Sequence, residues 1–324
     1  MHEAYDAGLL DLDGVLYRGL DPIEHAAQAV AQARSAGMRI AFVTNNASRH
    51  PAEVAAQLCA LAIPARSEEV VTSAQAAVRL LVAQVPSGAA VLVLGSESLA
   101  QLVAQAGLLP VRTVTQAGAT GVAAVVQGLS VDTSQADLAE ACVALRAGAV
   151  WIAGNTDATL PSPRGPLPGN GAFVSVLERI TGRQPQVAGK PDPALHLESV
   201  ARVAAVRPLV VGDRLDTDVL GAVRGAADSL LVMTGVTDLA DLLAAPRGSR
   251  PTYVSSDLRG LGKSHPAVEV EGDSAFCGAA TAAYSDGVVT VTGQGDDALR
   301  AQAGLAWARA DVAAGLQASG PSGR

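Results

Sequence analysis

The chain has 324 residues, a length that suits about two domains, and 49% of it is hydrophobic, so a large packed core is expected over most of its length. Acidic residues outnumber basic ones by 31 to 23, for a net charge of −8, and no Lys or Arg run occurs, which argues against a nucleic-acid or anionic-membrane surface. No stretch approaches ~20 consecutive apolar residues and no basic-then-apolar leader is visible, so a soluble, cytoplasmic protein is expected. Cys59, Cys142 and Cys277 lie far apart without ligand spacing and read as small apolar residues in a reducing compartment. Of the 23 basic residues only Lys190 and Lys263 are lysines, so a lysine kept against that bias suggests a chemical need.

The first apolar run stops at Asp11-Leu12-Asp13-Gly14. Residues two apart in a strand share a side, so both carboxylates can meet at one strand end, and Gly14 lets the chain turn away. Close carboxylates repel, which calls for a divalent cation or a shared proton, unless the segment is a turn with surface acids. Helical spacing predicts a helix over 21–36, ending at Gly37. The strand Arg39 to Val43 follows and stops at Thr44-Asn45-Asn46. This β-α-β order implies a right-handed crossover and a parallel sheet, with Thr44 at the same carboxyl edge as Asp11. A hydroxyl and free N–H groups there suit an anionic oxygen, whereas an Asn-rich turn capping the helix over 51–60 is the plain alternative.

A helix over 73–84 leads to the break at Pro86-Ser87-Gly88. The rhythm restarts with a strand at 91–94, a helix at 97–105, a strand near 122–126, a helix at 134–146 and a strand at 150–153. This block reads as an inserted α/β cap. The segment 154–171, with Asn155, Asp157, Arg164 and four prolines, reads as an ordered loop that either sets specificity or returns the chain to the core. A short strand at 186–187 is expected to reopen the core before Gly189-Lys190-Pro191. The buried strand Pro208 to Gly212 then runs into Asp213-Arg214-Leu215-Asp216-Thr217-Asp218, and helix capping explains poorly why Asp213 sits at the strand end. A strand at 229–233, a helix near 238–244 and a strand at 253–254 close this part. From about His265 a small appendage is expected, with a hairpin turning at Asp286-Gly287, a helix over 296–317 and a disordered tail from Ser319. The pattern places the core at 1–84 and 186–262, the cap at 85–185 and the appendage at 263–324.

These four strand ends occur in the order found in the haloacid dehalogenase superfamily, and the chain resembles it over about residues 5–260. Asp11 to Leu16 looks like its first motif, Thr44 to Asn46 its second, Gly189 to Pro191 its third and Gly212 to Asp218 its fourth. An insert between the second and third motifs resembles the NagD-like branch with a C2-type cap. The implied fold is a Rossmannoid parallel α/β core with an inserted α/β cap and a small C-terminal α/β appendage. The implied activity is Mg²⁺-dependent phosphomonoester hydrolysis. By this resemblance Asp11 is the nucleophile and Asp13 the acid and base. Asp11, the Asp13 carbonyl and Asp213 would hold Mg²⁺, with Asp216 and Asp218 behind them. Thr44, Asn45, Asn46 and Lys190 would bind phosphate, because an anionic nucleophile meets a phosphate dianion only when cations offset the repulsion. Asn155, Asp157 and Arg164 would read the substrate.

The Arg- and Ala-rich composition with a C-terminal appendage is similar to actinobacterial glycerol-3-phosphate phosphatases, which implies recycling of phospholipid headgroups. The appendage there resembles part of an acetyltransferase, but no glycine-rich acyl-CoA loop is evident here. Pyridoxal phosphate or phosphoglycolate phosphatases of the same branch share the motifs, and a receiver-like phosphate-binding domain is the rival outside catalysis. The expected partner is a small phosphorylated metabolite, with no nucleic acid and no membrane insertion; a homodimer through the cap stays open.

Overall fold

The apolar run before the first acids forms the strand Ala7–Leu10, buried along its length, in the computed structural model, which describes residues 1, 4–160 and 164–315. The chain divides into two units, residues 1–40 with 206–324, and residues 41–205, the division falling inside the strand Arg39–Thr44.

In the first unit Ala7–Leu10 pairs in parallel with Pro208–Gly212, which pairs with Asp228–Val232, which pairs with Tyr253–Ser255. These strands are nearly all apolar, as parallel strands covered on both faces must be. The helix expected from Asp21 starts only at Ala26, because Tyr17–Arg18 and Asp21–Pro22 form a small antiparallel ribbon first. Gly37 stands just past its end at φ +91°, a left-handed position that favours glycine.

The appendage is an antiparallel sheet in the order Glu269–Glu271, Ser274–Cys277, Ala280–Ser285, Val288–Thr292, followed by the helix Gly295–Ala313. Asp286 and Gly287 turn its hairpin at φ +52° and +85°, as a two-residue turn matching strand twist requires. One side of the helix packs Ala301 and Leu305 on Ala275, Cys277 and Ala282. Ala303, with Leu299 and Trp307, meets Leu242 and Val254. Trp307 Nε1 donates to Leu242 O at 2.9 Å, and Arg250 pairs with Asp311 at 2.8 Å. The expected tail and the last residues of the expected helix lie outside the described residues.

In the second unit Phe42 to Thr44 pairs with Val70–Thr72, a three-residue strand too short to stand out in the pattern. The helix Pro51–Ala60 forms where expected, opened by His50, whose ring accepts from Ala52 N at 3.2 Å. A parallel sheet in the order Gln186–Val187, Val150–Ala153, Ala124–Gln127, Ala90–Leu94, Leu109–Val111 carries the inserted block. Gln186–Val187, expected to reopen the core, therefore extends the inserted sheet, because Val187 pairs with Ala153. The segment 154–171 is not wholly loop either. Thr159–Leu160 and Leu167–Pro168 form a ribbon, residues 161–163 lie outside the described residues, and the helix Asn170–Thr181 buries Val174 and Leu177. No helix among the described residues is long and apolar enough to cross a membrane.

Candidate active site

Parallel pairing puts Leu10 opposite Val211, and Asp11 N donates to Val211 O at 2.8 Å. Asp11 and Asp213 each follow directly on the last residue of their strand. A wide π-helical turn, Leu215–Val219, then brings Asp218 back to the strand end, where its Oδ2 accepts from Arg214 N at 3.2 Å. Such wide turns recur at functional sites. Oxygens of Asp11, Asp213 and Asp218 lie within 4.8 Å of one another, and this is the one group of its kind among the described residues. At that separation each pair of full charges repels by about 3 kcal/mol even at an effective dielectric near 20. Three carboxylates converging in this way are an all-oxygen donor set that fits a hard divalent cation such as Mg²⁺ or Ca²⁺.

The surrounding backbone is cut to fit these acids. A Cβ on Gly14, at φ +82°, would stand 2.5 Å from Asp213 Cγ, and one on Gly235 would overlap the same carboxylate. Asp213 Oδ2 accepts from Val236 N at 2.7 Å, while Thr234 Oγ1 donates to Gly14 O at 2.6 Å and Arg18 Nε to Thr234 O at 2.7 Å. Asp13 stands at the exposed side of the turn that Gly14 N closes onto Tyr17 O at 2.8 Å. Partial removal of water by the turn lifts the Asp13 pKa above the usual carboxylate value, against the N–H groups of Gly19 and Gly14 and the charge of Arg18. Asp218, expected behind the metal, offers an oxygen to the acidic group. Asp216 does not: its side chain is 69% exposed and pairs with Arg214 at 2.8 Å, which holds its pKa low.

In the second unit the turn at Thr44-Asn45-Asn46 is built on itself. Thr44 Oγ1 accepts from Asn46 N at 3.1 Å, and Asn46 Oδ1 accepts from Ser48 N at 2.8 Å. Asn45 Oδ1 accepts from Lys190 N at 2.7 Å, and Asn45 Nδ2 donates to Lys190 O at 3.1 Å and Asp157 Oδ2 at 3.2 Å. Gly189 is required here, since a Cβ would come within 2.5 Å of Gly154 O and 2.6 Å of Asn45 Oδ1. Asn155 is buried and donates to Asn45 O at 2.7 Å, and Arg164 sits exposed in the turn of the small ribbon. The pattern passed over Ser73, whose hydroxyl donates to Asn45 O at 2.6 Å, and Asn170, whose Nδ2 donates to Asn155 O at 2.6 Å. Two signals pointed to them: Thr72-Ser73 following the apolar Val70-Val71, and Asn170 flanked by glycines on both sides.

The family model described as haloacid dehalogenase-like hydrolase matches residues 8–109, and a second HAD-hydrolase-like model matches 187–261. A D-glycerol 3-phosphate phosphatase of Mycobacterium tuberculosis is 51% identical over 259 residues, covering 80% of this chain and 71% of that protein. The 5′-nucleotidase YutF of Bacillus subtilis is 37% identical over 238 residues, 72% of this chain and 90% of that one. Among solved structures, a glycerol phosphate phosphatase of M. tuberculosis in complex with magnesium superposes with a TM-score of 0.82 at 45% identity, covering 95% and 91% of the two chains. With both family models matched and identity this high over most of its length, the chain belongs to the haloacid dehalogenase-like hydrolases.

Proposed function

We propose that this protein is a Mg²⁺-dependent phosphomonoester hydrolase whose preferred substrate is glycerol 3-phosphate, acting in the turnover of glycerophospholipid headgroups. The observation that carries the reading is the convergence of Asp11, Asp213 and Asp218 at one strand end, the donor set of a hard cation. Asp11, Asp213 and Asp218, with the backbone carbonyl of Asp13, would hold Mg²⁺, and the bound cation would offset the repulsion between an anionic nucleophile and a phosphate dianion. An Asp11 carboxylate oxygen attacks phosphorus in line, and the bond to the ester oxygen breaks as Asp13 delivers its proton to the leaving alkoxide. Asp13 then takes a proton from water, whose oxygen attacks the aspartyl-phosphate and frees phosphate and Asp11. Thr44, Asn46 and Lys190 are assigned to the phosphate oxygens that are not transferred.

The substrate reading leans on the relative at 51% identity, whereas the relatives named for nucleotides and sugar phosphates stand at 37%. Arg164 and Asp157 of the segment before the helix Asn170–Thr181 are the residues we assign to substrate choice, with 85–185 as the cap. Three free cysteines suit the reducing cytoplasm we propose as its compartment, and a homodimer through the cap is to be read from its mass in solution. The test is phosphate release with Mg²⁺ from glycerol 3-phosphate, 2-phosphoglycolate and pyridoxal 5′-phosphate, repeated with a chelator and with Asp11→Asn. We expect glycerol 3-phosphate to lead and both controls to stop turnover. Release that survives the chelator sinks the metal role, an active Asp11→Asn sinks the covalent route, and another preferred ester replaces the substrate.

A further inference from the structure

A side-chain amide has two N–H donors and one carbonyl oxygen, and for Asn45 both donors are taken, one by Lys190 O and one by Asp157 Oδ2. Its oxygen receives Lys190 N. Nothing on this amide remains to donate to a phosphate oxygen. The amide instead forms with the Lys190 peptide the two-bond pairing of a strand neighbour, which fixes where the Lys190 main chain runs. One step behind, Asn45 O accepts from both Ser73 Oγ and Asn155 Nδ2, which fills its two lone pairs. Asn155 Oδ1 accepts from Asp157 N at 3.2 Å, and Asn170 Nδ2 holds Asn155 O. Ser73, Asn155 and Asn170 are 0%, 5% and 2% exposed, so these bonds form away from competing water.

We infer that Asn45 contributes to the reaction through Lys190 and not by touching phosphate, and that Ser73, Asn155 and Asn170 are further positioning residues that hold Asn45 in place. This rests on the phosphatase reading, in which Lys190 meets the substrate. Buried amides arranged so that each peptide is gripped from two sides are satisfied only in one geometry, and a displaced Lys190 would lose its alignment with the phosphate. Misplacement of a catalytic group by about 1 Å can cost on the order of 10²-fold in rate.

The test is a double-mutant cycle on Asn45→Ala and Lys190→Ala, read as kcat/KM with Mg²⁺ and a radiolabelled ester so that large losses stay readable. If Asn45 works through Lys190, each single change costs about 10²-fold and the double variant falls no more than about 3-fold below Lys190→Ala alone. Losses that multiply overturn the inference, because a residue acting independently keeps its full effect when Lys190 is gone. Ser73→Ala and Asn170→Ala are expected to lower kcat/KM about 3- to 10-fold when assayed well below a Tm that falls by a few degrees for the lost buried hydrogen bond, and wild-type kinetics in both overturns their positioning role. A wild-type protein that releases no phosphate from any ester ends the phosphatase reading and this inference together. An active wild-type with a multiplicative cycle ends this inference alone.

Discussion

Replacing Asp218 by Asn removes one of three negative charges yet keeps an oxygen that can accept from Arg214 N. The three carboxylate oxygens lie within 4.8 Å of one another, so two repulsive pairs, each worth about 3 kcal/mol at an effective dielectric near 20, include Asp218. Solvent at the partly exposed Asp11 and the other contacts these acids make reduce that ceiling of about 6 kcal/mol severalfold. In chelator, Asp218→Asn should therefore be more stable than wild type by about 1–3 kcal/mol, a Tm rise of roughly 3–8 °C. Saturating Mg²⁺ should reverse the order, since the wild type gains stability from binding and the variant has lost a ligand. Thermal unfolding of both proteins, with chelator and with Mg²⁺, reads all four values. A variant that is less stable in chelator, or that keeps the full Mg²⁺-induced rise, would show that Asp218 is a hydrogen-bonding residue and no part of a cation site.

Two further outcomes follow from the same contacts. Gly14→Ala forces a side chain into a left-handed backbone at about 1–2 kcal/mol and drives its Cβ onto the Asp213 carboxylate, so phosphate release should drop about 10²-fold while circular dichroism stays native; wild-type turnover would refute the steric role. Asp296 is pulled upward by burial, but hydrogen bonds from Ser256, Ser255 and Lys263 outweigh this and lower its pKa from 3.8 to about 2. A depressed folded pKa gives stability that is complete above the unfolded value and lost as pH falls through the folded one, here between pH ~4 and ~2, worth about 2 kcal/mol. Asp296→Asn should lower denaturant stability at neutral pH by that order and flatten the acid limb, and an unchanged limb would place the acid sensitivity elsewhere.

Local chemistry in the sequence was enough to place the ends of many elements. Pro51 opens its helix at the residue read from the pattern, Gly37 ends another, and Asp286-Gly287 turns the hairpin, because a fixed φ, a left-handed φ and a two-residue turn are properties of the residues themselves. Asp11 and Asp213 were legible as strand-end acids for the same reason: an apolar run that stops at a charge marks a strand end. Short or weakly patterned elements were not legible. Val70–Thr72 has three residues, and Glu269–Glu271 is exposed throughout, so neither carries enough period to be seen.

Selection among equivalent residues belonged to the tertiary structure. Asp216 and Asp218 look alike in sequence, and only the wide turn at Leu215–Val219 sends one toward Asp213 and leaves the other in solvent with Arg214. Asn45 reads as an anion ligand beside Thr44, yet residues more than a hundred positions away occupy both of its donors. Gln186–Val187 pairs in parallel with Ile152 and Ala153, a long-range pairing that its own two residues do not announce. The sequence by itself placed Asp11 and Asp213 just past the ends of apolar strands, since that depends on residue type and local pattern. The structure decided which residues meet, since that depends on long-range pairing whose register no local pattern encodes.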